Sequence, residues 1–278
     1  MNILTIDVEE WFQFFEDLDY EQRYKNYEVR IYENVYRILG LLEENNIKAT
    51  FFVVGWIAKR YPDIVKRIAK DYEIGSHSMT HKLVRSLNRN EFRDEVYSSS
   101  ALLEDITGRR VEAFRAPGFS IGKNELWALE VLNDLGIGID SSFLPYNFGV
   151  NTLRTSPCII EYNGIKIKEF PINYKKFLSN GIIYSGGGYF RFFPYSLLNS
   201  WIKDSDYFLA YIHPRDLDSN QPLIKGLSPI QFFRSYYGLK SSESKFKKLI
   251  KDYNFIDIDS ADKKIDWDKV EIIKLNLE

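Results

Sequence analysis

Between Asn2 and Asp140 the chain repeats one pattern, a short apolar run followed by a longer stretch whose apolar residues recur at helical spacing. Residues 2–8, 49–54, 73–76, 111–114 and 136–139 read as buried strands. Between them, Ile31, Val35, Ile38 and Leu42 mark one amphipathic helix, Pro62 opens a second, Asn90 to Ile106 form a third that Gly108 ends, and Leu126 to Leu132 a fourth. Strands alternating with helices of this length predict βαβ units, a parallel sheet and barrel-like closure. In such folds the functional groups lie at the carboxyl ends of the strands. Asp7, His77, Arg115 and Asp140 all stand at those predicted ends.

After Ser142 the pattern loosens. Residues 158–162 and 165–170 flank Asn163-Gly164, a strong hairpin signal, which predicts an antiparallel insertion around residues 155–172. Gly186-Gly187-Gly188 is not followed by the Gly-Lys-Ser/Thr of a phosphate loop and reads as a flexible turn. A buried strand is expected at 207–212, ending at His213-Pro214, then a helix around 246–253 and a final strand at 255–258. No repeat or low-complexity segment divides the chain, so one domain over residues 1–278 is expected.

Composition narrows the partners. The formal charge is −2 with no block of like charges, which argues against a nucleic-acid or anionic-membrane surface. No stretch reaches transmembrane length, and the amino terminus lacks the features of a secretory signal, so a cytoplasmic protein is expected. Cys158 is the only cysteine, which excludes an internal disulfide and a multi-cysteine metal site, and it reads as a small apolar filler.

Two of the three histidines, His77 and His81, are four residues apart. On a helical turn or in a tight loop they can face one metal ion. Asp7, Glu9 and Glu10 crowd at the end of the first strand and would repel one another without a cation or an arginine. Trp11, Phe12, Phe14 and Phe15 follow directly and argue against a fully solvated acidic loop. Two histidines and one carboxylate leave a coordination position open for water, as in catalytic zinc sites, and an open iron site would use the same ligands.

Three stretches carry a resemblance. Thr5-Ile-Asp-Val-Glu9, Ser76-His-Ser-Met-Thr-His81 and Arg115-Ala-Pro-Gly-Phe119 resemble the first three motifs of the polysaccharide deacetylases of carbohydrate esterase family 4, the NodB-homology domain. Asp140-Ser-Ser and Ile212-His213 are similar to the weaker fourth and fifth motifs, so the resemblance runs from Thr5 to about His213. It is closest to a subgroup with an Asp-Val-Glu start and His-Pro at the fifth motif, associated with bacterial exopolysaccharide and surface-glycan biosynthesis. Pattern and resemblance together predict a distorted (β/α) barrel of about seven parallel strands with the antiparallel hairpin inserted around 155–172.

The resemblance implies Asp7 as general base and Glu9, His77 and His81 as ligands of one divalent metal ion, zinc. Val8 separates the two acids where the family usually has adjacent aspartates, which keeps Glu10 as an alternative ligand. Arg115 would pair with Asp7, and Asp140 would orient His213 as general acid. Pro117, Gly118 and Phe119 would meet the substrate, with a backbone N–H near Gly118 or Phe119 stabilising the oxyanion. The implied substrate is an N-acetylated sugar, in a polysaccharide or linked to a lipid or a nucleotide; a lipid-linked one would bring the protein to the membrane periphery. Competing readings are an amide hydrolase acting on a small heterocycle and a glycan-binding protein without turnover. The acid and base pair Asp7 and His213 speaks against the latter, since binding needs neither.

Overall fold

The computed structural model describes residues 1–13, 27–144, 156–177, 180–224 and 226–275; Phe14, Phe15 and residue 155 of the expected hairpin range lie outside them. Eleven strands are found among the described residues: β1 Asn2–Val8, β2 Thr50–Val53, β3 Glu73–Ser76, β4 Ala113–Phe114, β5 Ile139–Asp140, β6 Cys158–Tyr162, β7 Ile165–Glu169, β8 Tyr174–Phe177, β9 Asn180–Ile183, β10 Phe208–Ile212 and β11 Ile272–Lys274. Nine of them form one sheet in the order β10-β1-β2-β3-β4-β5-β7-β6-β11. The first seven in that order run parallel to one another. β8 and β9 form a separate antiparallel pair.

Among the described residues no strand ladder closes β7 onto β10. A side chain makes the join. Asn173, fully buried, donates from Nδ2 to the carbonyl of Tyr207 at 2.8 Å and accepts the N–H of Leu209 at its Oδ1 at 2.7 Å, while the Tyr207 hydroxyl donates to the Pro171 carbonyl at 3.0 Å. One amide thus occupies the two backbone groups that a neighbouring strand would have paired, and the barrel is distorted at this seam.

Period-two alternation sorts the strand residues into an outer and an inner layer. Leu4, Ile6 and Val8 of β1 and Phe208, Ala210 and Ile212 of β10 pack outward with the helix Ile31–Glu44. Ile3, Phe52, Ala113, Ile139 and Leu209 turn inward and fill the floor of the barrel. The outer layer between β4 and β6 is built on the helices Arg89–Thr107 and Trp127–Asp134. The former carries an Asn88 capping box and ends at Gly108 with φ 66°, where a left-handed residue is cheapest for glycine.

Three expectations need correction. The hairpin at Asn163-Gly164 forms, with both turn residues at positive φ, but it is not an insertion. Its second arm, β7, pairs parallel with β5 and is the seventh barrel strand, and β6 and β11 extend the sheet beyond it. Gly187 does not sit in a flexible turn: it begins the helix Gly187–Phe192, and a Cβ on Gly186 would lie 2.0 Å from the Tyr211 carbonyl, so glycine permits a close backbone approach to β10. At 255–258 there is no strand; Ile256 makes a single bridge to Ile3, and Asp257 caps the helix Ile258–Lys264. A further helix, Pro229–Tyr236, starts at a capping box formed by Ser228 and Gln231. No described helix is long and apolar enough to cross a membrane.

Candidate active site

The alternation that fills the barrel floor also aims the site. Above Ile3, Thr5 and then Asp7 face inward on β1; His77 lies two residues beyond inward Gly75, Arg115 two beyond Ala113, and His213 two beyond Tyr211 and four beyond Leu209. Three strand exits and the end of β10 therefore converge on one cavity, which Asp7, Glu9, His77, His81 and His213 all line.

The two histidines sit in a loop, not on a helix. Ser78 and His81 both have φ of 60°, so the chain reverses between them. Glu95, from the helix Arg89–Thr107, accepts the N–H groups of Met79 and Thr80 at 3.0 and 2.7 Å and the Thr80 hydroxyl at 2.5 Å. The N–H groups of Gly55 and Trp56 bond the carbonyls of Ser78 and Met79, both at 2.8 Å. Glu95 carried no signal in the sequence, because nothing local says that a helix carboxylate will reach the loop sixteen residues before it.

One donor atom from each of Glu9, His77 and His81 lies within 4.8 Å of the others. The Nε2 of His81 is 2.7 Å from Glu9 Oε2. His77 Nδ1 is 2.7 Å from the Arg115 carbonyl, which can only accept, so the ring proton is on Nδ1 and Nε2 keeps a lone pair for a ligand. Burial, reinforced by the neighbouring His81, holds the His77 pKa well below its ordinary value, which favours that neutral form. Burial tends to raise the Glu9 pKa, but the nearby histidines outweigh it and keep the carboxylate ionised. Neutral imidazole and carboxylate donors fit a divalent cation of the zinc class. Glu10 is engaged elsewhere: its Oε1 accepts the N–H groups of Arg30 and Ile31 at 3.0 and 3.1 Å, at the start of the helix Ile31–Glu44, and its Oε2 accepts Trp11 N–H at 3.3 Å.

Arg115 is fully buried and orders Asp7. Its Nη1 donates to Asp7 Oδ1 at 2.7 Å and to the Thr5 hydroxyl at 2.8 Å, its Nε donates to the Ser141 carbonyl at 3.1 Å, and its Nη2 donates to the Ser141 hydroxyl at 2.8 Å. The guanidinium lies 4.4 Å from the Phe52 ring centroid and 5.4 Å from that of Phe119. The remaining Asp7 oxygen, Oδ2, is 3.9 Å from His213 Nε2, and Glu9 Oε1 is 3.6 Å from the same nitrogen.

Asp140 does not orient His213. It is paired in register with Phe114 and Glu169, and Phe114 packs outward against the helices, so Asp140 shares that outward parity. Its carboxylate accepts the Ser142 hydroxyl and hydrogen-bonds Glu169, whose other oxygen accepts the Phe143 N–H at 3.1 Å. Burial raises both carboxyls, Asp140 to about 6 and Glu169 well above its ordinary range, so the pair shares a proton. Ser141, with inward parity, takes the place at Arg115. The partner of His213 is Asp216, three residues on: its Oδ2 lies 2.9 Å from both the Nδ1 and the backbone N of His213. Asp216 Oδ1 is in turn 3.2 Å from Arg191 Nε. Burial opposes protonation of His213, but the Glu9 and Asp216 carboxylates prevail and raise its pKa to about 9. The short His-Pro-Arg-Asp spacing, which forms a capping box at the turn Pro214–Leu217, was the local signal for Asp216.

Gly118 and Phe119 line the cavity, whereas Pro117 is buried and shapes the turn Pro117–Phe119 without reaching it. The Phe119 N–H is taken by the Ala116 carbonyl at 3.0 Å, which leaves the Gly118 N–H as the candidate oxyanion donor of the two.

A parallel, distorted (β/α) barrel thus carries a candidate metal site, the Glu9-His77-His81 cluster, beside an arginine-held aspartate at the carboxyl ends of its strands. Comparison with known proteins gives the family. Residues 15–138 match the polysaccharide deacetylase family model, and residues 141–263 match a model described as a domain of unknown function, DUF3473. A peptidoglycan-N-acetylglucosamine deacetylase of Bacillus cereus is 36% identical over 96 residues, covering 34% of this chain and 35% of that protein. A chitooligosaccharide deacetylase of Azorhizobium caulinodans is 34% identical over 102 residues, 36% of this chain and 47% of that protein. The chain thus spans about a third to a half of the length of these relatives. A Mycobacterium smegmatis crystal structure assigned as a polysaccharide deacetylase superposes with a TM-score of 0.68 at 17% identity, covering 100% of this chain and 93% of that one, and shows the same fold. Residues 15–138 thus carry a polysaccharide deacetylase domain, of carbohydrate esterase family 4 and NodB-like type. One sheet draws strands from both matched segments, β2 to β4 from the first and β6, β7 and β10 from the second.

Proposed function

We propose that this chain, as one NodB-like domain over residues 1–278, is a metal-dependent N-deacetylase that removes the N-acetyl group of an amino sugar in a bacterial surface glycan or its precursor and releases acetate. One observation carries the reading: Asp7, held on one oxygen by Arg115 at 2.7 Å, faces His213 across 3.9 Å in the cavity that also presents Glu9, His77 and His81. A binding protein needs no such acid and base pair. The matches to relatives named as peptidoglycan and chitooligosaccharide deacetylases support the same class of substrate.

Glu9, His77 and His81 would hold the cation, zinc in this reading, which supplies polarisation of the acetamide oxygen and a lowered pKa for the attacking water. Arg115 occupies Asp7 Oδ1 and aims the aspartate, so Oδ2 is the atom that takes the proton of the water as the carbonyl carbon is attacked. The oxyanion is stabilised by a backbone N–H at Gly118. His213, protonated at neutral pH and fixed through Nδ1 by Asp216, gives its Nε2 proton to the departing nitrogen, so that an amine leaves instead of an amide anion. Acetate and a free amino sugar result.

The test is acetate release by the full chain from N-acetylglucosamine oligomers, nucleotide-linked and lipid-linked N-acetyl sugars, with and without a chelator. Chelator-sensitive acetate from a sugar supports the reading. Acetate from none of them, with turnover of a cyclic imide or ureide instead, would sink it.

A further inference from the structure

Resting on that deacetylase reading, we infer that the substrate is an amphiphile, an acetamido sugar carrying a hydrocarbon chain, and that the chain lies in the cavity mouth between the helices Gly187–Phe192 and Pro229–Tyr236. The cavity has a volume of about 1290 Å³, larger than the roughly 300–1,000 Å³ that encloses most small ligands. Its floor holds the carboxylates and histidines. Its mouth has the opposite character.

Ile230, Phe233, Arg234 and Tyr237 line the mouth at positions i, i+3, i+4 and i+7, one stripe along the helix and just past its end. Tyr189 and Phe192 face them from the other helix. Ile230 is 68% exposed, and Tyr189, Phe192, Phe233 and Tyr237 are between 43% and 48% exposed. The rings form one cluster, with centroids of Phe192 and Phe233 5.8 Å apart, Phe192 and Tyr237 5.7 Å, and Phe233 and Tyr237 4.6 Å. Apolar side chains left in water around one opening are unusual unless something covers them.

A second sugar ring is a poor occupant. Its hydroxyls would lose water, and among the described residues the polar groups at the mouth outside the catalytic floor are few: Gln231, Arg234 and the hydroxyls of Tyr189 and Tyr237. A hydrocarbon chain loses nothing polar. The mouth is also fixed in place. Arg191, buried, donates to the carbonyls of Arg234, Ser235 and Tyr237 at 2.7, 2.9 and 3.2 Å, clamping the last turn of the helix Pro229–Tyr236, and its Nε contacts the same Asp216 that positions His213. The apolar opening and the acid at the floor are therefore held by one side chain.

The experiment uses the full metal-loaded chain and alkyl N-acetylglucosaminides from methyl to dodecyl, each kept monomeric. Calorimetric affinity and kcat/KM for acetate release are both read. A hydrocarbon buried in the mouth should tighten binding about two- to fourfold per methylene over the first several carbons. Ile230→Asp and Phe233→Ser should flatten that slope, while Tyr97→Ser, on an exposed side chain outside the cavity lining, should not. Affinity independent of chain length overturns the inference, whatever the variants do. So does binding to phosphatidylcholine vesicles that lack any sugar together with a flat chain-length response, which would place a bilayer surface on this face. Tighter binding with chain length but no acetate would remove the deacetylase reading and leave the chain subsite standing. Acetate release indifferent to chain length would do the reverse.

Discussion

Asp216 grips His213 twice, its Oδ2 lying 2.9 Å from the imidazole Nδ1 and 2.9 Å from the backbone nitrogen of the same residue. The carboxylate thus sets both the ring and the turn that carries it. Asp216→Asn keeps an acceptor in place and removes the charge. The kcat for acetate release should fall about 10- to 100-fold, part of the 10²–10⁴ that acid–base catalysis contributes. With burial unopposed by that charge, the His213 pKa should drop from about 9, and the alkaline limb of the pH profile should move to lower pH. A uniform loss of rate without a shifted limb would mean that Asp216 acts only through the fold. In the metal-free protein, protonated His213 stabilises the fold fully below its ordinary value of 6.5, and that contribution is lost as pH rises through about 9.

Replacing Arg115 removes the cation bonded to Asp7 Oδ1 and leaves the buried carboxylate only His213, 3.9 Å from Oδ2. Arg115→Met should cost about 3–5 kcal/mol of stability in denaturant titration and abolish turnover. Arg115→Lys should rescue neither, because one ammonium cannot reach Asp7, Thr5 and both Ser141 acceptors together.

Glu9 and Glu10 are adjacent and should behave differently. Glu9→Gln should lower metal content in elemental analysis, as should His77→Ala, whereas Asp7→Asn should keep the metal and lose acetate release. Glu10→Ala should keep the metal and destabilise the protein by about 1–3 kcal/mol, because the N–H groups of Arg30 and Ile31 lose their acceptor. Metal lost from the Glu10 variant and retained in the Glu9 variant would reverse the assignment.

The Asp140 and Glu169 pair titrates upward in the fold. A carboxyl whose pKa is raised on folding contributes stability that is present below its ordinary range and lost as pH rises, here through about 6 for Asp140. Glu169→Gln can still accept the Phe143 N–H and donate to Asp140 without titrating. The variant should melt higher than the parent at pH 8, by on the order of 1 kcal/mol, and near the parent at pH 5. An unchanged difference between the two pH values would show that no proton is shared.

Glu95 touches neither histidine ring and yet ties their loop to a helix. Glu95→Ala should weaken metal affinity about 10- to 100-fold in competition with a chelator, with the cation still binding at saturation.

Much of the architecture was legible in the linear pattern. Strands β1 to β3, the hairpin at Asn163-Gly164 and the helices Ile31–Glu44 and Arg89–Thr107 are local: apolar periodicity, a cap or a turn pair specifies each from within a few residues. The convergence of Asp7, His77 and Arg115 was legible as well, since parallel strands deliver their carboxyl ends to one face.

Parity and pairing were not. Asp140 stands at a strand end as the chain pattern implies, but which face it takes depends on register with Phe114 and Glu169, and a shift of one residue exchanges the two faces of a strand. The roles of Glu10 as a helix cap, of Asn173 as the seam of the barrel and of Glu95 behind the histidine loop all join residues fifteen or more positions apart, or turn on which of two neighbouring acids faces inward. The sequence by itself determined the βα repeat and the chemical types at its strand exits, because those follow from local periodicity. Only the tertiary structure decided which of those groups meet, because contact at a distance is set by register and closure, and neither is encoded in any single stretch of chain.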